Sequence, residues 1–133
     1  MVQSYKELLA YQKSYALVMA VYAVTKGFPG EELYGLSSQM RRCAVSIPSN
    51  IAEGYMRGTK EYTHYLRVAL GSAAELDTQL SLAKDLGYLT PDKHSQLTAD
   101  LEEILKLLRT YLNKLTAHTN TIREDPTPYD LDN

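Results

Sequence analysis

The sequence predicts an all-α fold, an antiparallel up-down-up-down four-helix bundle, on three observations. Apolar residues recur at three- and four-residue steps through four long segments, no stretch keeps the alternation of a strand, and the connections are short. Helix 1 starts at Ser4, with Glu7 three residues on as a capping box, and runs to about Lys26, before Gly27, Pro29 and Gly30. Its expected core stripe is Leu8, Tyr15, Met19 and Tyr22. Helix 2 begins between Glu31 and Ser37 and ends near Arg57, with Leu36, Met40, Cys43, Ile47 and Ile51 inward. Pro48 removes an amide donor in mid-helix and predicts a kink. Helix 3 opens at Thr59 as N-cap and carries Tyr62, Leu66, Ala69, Ala73, Leu76, Leu80 and Ala83 in a seam that reaches Leu86. Thr90-Pro91-Asp92 then gives helix 4 a cap, a proline at its first position and a negative charge near the positive end of its dipole. Its seam is Leu97, Leu101, Ile104, Leu108, Tyr111 and Leu115.

A chain of 133 residues, 44% hydrophobic and 23% charged, fits one domain with a real core and excludes collagen-like, low-complexity and wholly disordered classes. Its longest apolar run, residues 15–24, is too short to cross a bilayer, and Glu7 interrupts any signal-peptide pattern, so cytoplasmic residence is expected. The one cysteine, Cys43, excludes an internal disulfide and a cysteine-rich zinc site. Residues 1–118, the expected bundle, hold thirteen Lys/Arg against twelve Asp/Glu, whereas residues 119–133 hold one against four. The body is therefore +1 and the tail −3. Two prolines and few apolar residues make 119–133 an expected flexible acidic tail. A body so near neutrality lacks the basic excess typical of nucleic-acid binders, and any contact with phosphate falls to a local patch around Arg41, Arg57 and Lys60.

Helix 1 breaks the rule that a bundle helix needs one apolar face. Residues 15–24 are apolar on every side, and Leu17, Val18, Val21 and Val24 form the face expected to meet another subunit. Leu105, Leu107 and Leu112 widen helix 4 in the same way. Homo-oligomerisation follows as the expectation.

A polar stripe accompanies the apolar seam of helix 2: Arg42, Ser46, Asn50, Glu53 and Arg57 share one face, and Ser72, Glu75 and Gln79 do so on helix 3. If the turn centres near Gly58, facing residue numbers sum to about 117, which sets Arg42 against Glu75, Asn50 against Arg67 and Glu53 against His64. The stripe and Arg67 thus read first as a polar network that specifies helix register, and second as a ligand or partner site.

Catalysis in a helix bundle most often means a di-metal carboxylate site built on two Glu-x-x-His pairs. Glu61 with His64 makes one pair, and neither His94 nor His118 has an acid three residues before it. No phosphate-cradling glycine loop, nucleophile elbow or His-Glu-x-x-His occurs, and Cys43 on the core seam reads as an inert small hydrophobe. No catalytic, metal or cofactor residue is therefore assigned.

The strings YGLSSQMRRCAVSIPSNIAEGYMRG (34–58) and YLRVALGSAAELDTQLSLAKDLGYL (65–89) contain the elements S-I-P-x-N-I-A-E-G at Ser46–Gly54 and G-S-x-x-E-L-x-x-Q at Gly71–Gln79. Over residues 4–118 the chain resembles the bacterial four-helix-bundle family named for open reading frames inside 23S ribosomal RNA intervening sequences. Cys43 stands where that family more often has alanine. The resemblance implies a cytoplasmic homopentamer with no established enzymatic activity. A related branch is similar to the accessory variability determinant of diversity-generating retroelements, a pentameric bundle that binds nucleic acid and a reverse transcriptase. Those proteins are markedly basic, and this chain is not. The function expected is that of an oligomeric scaffold or interaction protein, not an enzyme; the alternative is a nucleic-acid-binding accessory factor acting with RNA or a reverse transcriptase.

Overall fold

The computed structural model describes residues 4–121, with side chains as far as Ala117, and Asp132. Four helices, α1 (Leu9–Thr25), α2 (Leu36–Arg57), α3 (Thr59–Asp85) and α4 (Pro91–Thr121), make up the fold, with 3-10 turns at Tyr5–Glu7 and Gly30–Glu32 and no strand among the described residues. Contacts join α1 to α2, α2 to α3, α3 to α4 and α4 back to α1, which closes a four-helix ring. Neighbours run antiparallel: Arg41 on α2 reaches Thr25 at the end of α1, while Tyr55 at the far end of α2 meets Tyr5 before α1 begins. The expected bundle is thus the observed one.

Its helix ends follow local chemistry. Thr90 Oγ1 accepts from the Lys93 amide at 3.2 Å, and Pro91 opens α4 where its missing amide costs nothing. Gly58 and Gly87 take positive φ, 96° and 81°, so the chain turns there through a conformation that side chains disfavour. The start of α2 is tied by a residue the sequence did not single out: Glu32 accepts from the Leu36 amide at 3.1 Å and from the Tyr88 hydroxyl at 3.0 Å, joining the α1–α2 connection to the α3–α4 corner. The expected capping box at the chain's start serves a different element. Ser4 Oγ accepts from Lys6 N at 3.2 Å and caps the Tyr5–Glu7 turn, then Leu8 becomes extended (ψ 135°) before α1 begins. This interruption throws Leu8 off the helical period of α1.

The face of α1 is consequently not the expected one. Ala10, Ser14, Leu17, Val21 and Thr25 turn inward, whereas Tyr15, Met19 and Tyr22 are exposed. Ser14 and Thr25 can be buried because each hydroxyl donates to its own helix, Ser14 to Tyr11 O at 3.1 Å and Thr25 to Val21 O at 2.7 Å. In α2, Ala44 and Pro48 join Met40, Ile47 and Ile51 in the core, while Leu36 and Cys43 are half-buried. The helix continues through Pro48 as one element. On α3 and α4 every expected seam residue is buried except Leu86, which is exposed at the end of α3. Leu105, Leu107 and Leu112 pack half-buried against the core. Helix α4 runs to Thr121, past the boundary expected at 118, and of the expected flexible tail residues 122–131 and 133 lie outside the described residues.

Candidate functional site

Close approach of α2 to α3 positions the polar stripe. A Cβ on Gly54 would lie 2.8 Å from Tyr65 Cβ and 3.3 Å from Tyr62 Cα, so only glycine lets the two backbones meet there. From that contact the helices run back antiparallel, and the polar side chains fall into three groups along the seam. In the middle, Asn50 Nδ2 donates to Ser46 O at 2.8 Å and to Ser46 Oγ at 2.9 Å, and Ser46 Oγ lies 2.7 Å from Ser72 Oγ. Because Ser46 Oγ accepts from Asn50, its own proton is free to go to Ser72. Further back, Cys43 Sγ donates to Glu75 Oε2 at 3.3 Å and accepts from Gln79 Nε2 at 3.5 Å. At the turn, Arg57 pairs with Glu53 at 3.0 Å and Glu61 at 3.3 Å, and its guanidinium lies over the Tyr65 ring.

Facing residue numbers sum to 118, as in Ser46–Ser72 and Cys43–Glu75, one more than expected. That single-residue slip redistributes the expected partners. Glu75 meets Cys43 instead of Arg42, Asn50 bonds within its own helix instead of to Arg67, and Glu53 takes Arg57 instead of His64. Arg42 makes no ion pair among the described residues, and neither does Arg67, which is exposed and outside the network. The other stripe residues bond in three separate groups and not in one continuous network.

Arg42 and Glu75 nonetheless share a cleft of about 300 Å³ between α2 and α3 with Cys43, Ser46, Ser72 and Gln79. Gln79 is only 8% exposed, and its Oε1 has no partner among the described residues. Burial, and next the acceptor Glu75, push the Cys43 thiol above its ordinary value, so it stays protonated and is a poor nucleophile. Among the described residues no cluster of three His, Cys, Asp or Glu could hold a metal ion. No helix among them is long and apolar enough to cross a membrane.

The expected intersubunit face needs correction. Leu17 is 2% and Val21 0% exposed, both in the chain's own core, and Val18 and Val24 are half-buried against it. What α1 presents outward is Tyr15, 56% exposed, Met19, 61%, and Tyr22. Two grooves extend this face onto α2. One, of about 420 Å³, is lined by Tyr11, Tyr15, Val18, Met19, Val45 and Pro48 among others; the second, of about 670 Å³, is lined by Tyr22, Leu33, Tyr34, Arg41, Arg42 and Val45 with two serines. Leu33 and Tyr34, the latter 93% exposed, were missed because they fall in the connection and belong to no helical period.

The three candidate phosphate contacts do not make one patch. Arg41 Nε donates to Thr25 Oγ1 at 2.8 Å with its guanidinium 4.8 Å from the Tyr22 ring centre. Arg57 is held by two carboxylates, and Lys60 is exposed at the α2–α3 turn. Sixteen residues of helix put Arg41 and Arg57 about 24 Å apart.

Comparison with known proteins agrees with this architecture. The family model described as 23S rRNA-intervening sequence protein matches residues 6–110. A crystal structure from Bacteroides thetaiotaomicron, described as a protein of unknown function from the S23 ribosomal protein family, superposes with a TM-score of 0.73 at 24% identity, covering 78% of this chain and 98% of that one. That likeness bears on the fold alone. No curated protein matches the chain.

Proposed function

The chain belongs to the 23S rRNA-intervening sequence protein family, and on that premise we propose that it is a non-enzymatic, self-assembling cytoplasmic scaffold, a homopentamer whose subunits meet through the outer face of α1 and the adjoining face of α2. One observation carries this reading: Tyr15, Met19 and Tyr22 on α1 and Val45 on α2, with Leu33 and Tyr34 beside them, are large apolar or aromatic side chains exposed next to one another. Single exposed hydrophobes are ordinary, but a contiguous patch marks a contact surface. Tyrosine and methionine, prominent here, are enriched in the centres of interfaces.

Light scattering coupled to size exclusion tests it. The expected mass is five times 15.0 kDa, about 75 kDa, at micromolar concentration, and Met19→Glu should lower it while leaving the helical circular dichroism unchanged. Val21→Glu, by contrast, puts a charge in the core and should unfold the chain, since Val21 is fully buried. A wild-type mass of 15 kDa would refute assembly.

A second reading rests on the larger groove, where two arginines, Arg41 and Arg42, accompany Tyr22 and Tyr34. Aromatic faces beside cations suit unstacked bases of single-stranded nucleic acid. Binding of this kind should be independent of sequence and should collapse as salt rises, because each arginine contact releases counterions. A salt titration with single-stranded RNA, on wild type and Tyr34→Ala, distinguishes this reading from self-assembly alone.

A further inference from the structure

Helix α1 begins without the devices that usually begin a helix. Leu8 stands at its N-cap with no side chain to bond an amide, and its first turn holds no acidic residue. Free amides and the positive end of the helix dipole are left to be satisfied from elsewhere. They are satisfied from the other end of the chain. Asp132 Oδ2 accepts from the Leu9 amide at 2.9 Å, Asp132 Oδ1 accepts from the Tyr111 hydroxyl of α4, and that hydroxyl in turn accepts from the Ala10 amide at 3.3 Å.

Tyr62 of α3 adds an independent sign. It is 1% exposed, its hydroxyl has no partner among the described residues, and it lies within electrostatic reach of both Asp132 and Tyr111. A buried phenol with an unused proton, within electrostatic reach of a carboxylate already bound by an amide and a second phenol, is a spare donor for an anion. Two helices therefore converge donors on one carboxylate, and a third brings an unused phenol within electrostatic reach of it.

We propose that the N-terminus of α1, with Tyr111 and Tyr62, is an exchangeable carboxylate-binding site whose resident ligand is the chain's own Asp132 and which accepts an aspartate-bearing acidic peptide when Asp132 is absent. The specificity follows from the donors: two backbone or phenol hydrogens fit the two oxygens of a carboxylate, and an amide side chain offers only one acceptor. The partners of Asp132 among the described residues are a backbone amide and a phenol, so the site reads hydrogen-bond geometry and the helix dipole.

The test uses the full chain with Asp132→Ala and hydrogen exchange of individual amides. Exchange at Leu9 should quicken at least tenfold, with unchanged circular dichroism, and Tyr111→Phe should quicken Ala10 in the same way. Adding acetyl-Tyr-Asp-Leu-Asp-Asn, the sequence of residues 129–133, to the Asp132→Ala protein should restore protection at Leu9. The same peptide with asparagine for its second aspartate should not. Unchanged exchange in Asp132→Ala, failure of the first peptide to protect, or equal protection by both peptides would each overturn the proposal.

Discussion

A methyl group added at Gly54 and one added at Gly71 should act in opposite directions, although both glycines belong to the sequence elements that identify the chain. At Gly54 the new carbon would lie under 3 Å from Tyr65 Cβ and Tyr62 Cδ1 and 3.3 Å from the backbone of α3, so the helices must part. Gly54→Ala should therefore cost about 1–3 kcal/mol, the usual range for overpacking. Gly71 is exposed in mid-helix with nothing within 4 Å of a Cβ, so Gly71→Ala should gain about 0.5–1 kcal/mol by restricting the unfolded chain. Chemical denaturation of the two variants decides it, and shifts of the same sign would contradict the packing described. Nothing in the two motifs themselves separates these glycines. The difference lies in which face of each helix meets its neighbour, and that depends on a register which hydrophobic period fixes only to within a residue.

At the scale of elements, α4 was legible and α1 was not. In α4 the seam keeps its period from end to end, and the leucines that widen it, Leu105, Leu107 and Leu112, lie half-buried beside it, so period locates the core: Leu97, Leu101, Ile104, Leu108, Tyr111 and Leu115 are all buried. In α1 every face of residues 15–24 is apolar, and the face that packs inward includes Ser14 and Thr25, whose hydroxyls are satisfied by their own helix. Hydrophobicity therefore favoured the bulkier Tyr15–Met19–Tyr22 stripe, which is the exposed one. The polar stripe was legible as a set and misread as pairs, because a slip of one residue between α2 and α3 moves Glu75 from Arg42 to Cys43. This yields a test by double-mutant cycles. Ser46→Ala with Ser72→Ala should show coupling of about 0.5–1.5 kcal/mol, the worth of a partly buried hydrogen bond. Arg42→Ala with Glu75→Ala should show about a tenth of a kcal/mol to a few tenths, as expected of exposed charges sharing a cleft without pairing. Strong coupling of the second pair and none of the first would restore the register read from the sequence.

For the molecule as a whole, two phenols link core stability to pH. Tyr62 and Tyr111 are essentially unexposed, and burial first of all, with Asp132 adding to it, raises both well above the ordinary phenol value of 10.0. In the unfolded chain the same phenols ionise near that ordinary value, so above it the unfolded state releases protons that the folded state keeps. Stability is then undiminished by these groups below about pH 10 and falls as pH rises further, by up to about 1.4 kcal/mol per pH unit for each phenol. The other titratable groups are common to the variant and the wild type. Guanidinium unfolding measured at steps from pH 8 to pH 11 on the wild type and on Tyr62→Phe/Tyr111→Phe isolates the two buried groups. At neutral pH the double variant should lose the support that Tyr111 gives Asp132 and Ala10. It should lose the Tyr62 hydroxyl without penalty, since that group has no partner among the described residues. Above pH 10 its stability should decline less steeply than the wild type's, and parallel decline of the two proteins would show that these phenols ionise in the folded bundle as freely as in water.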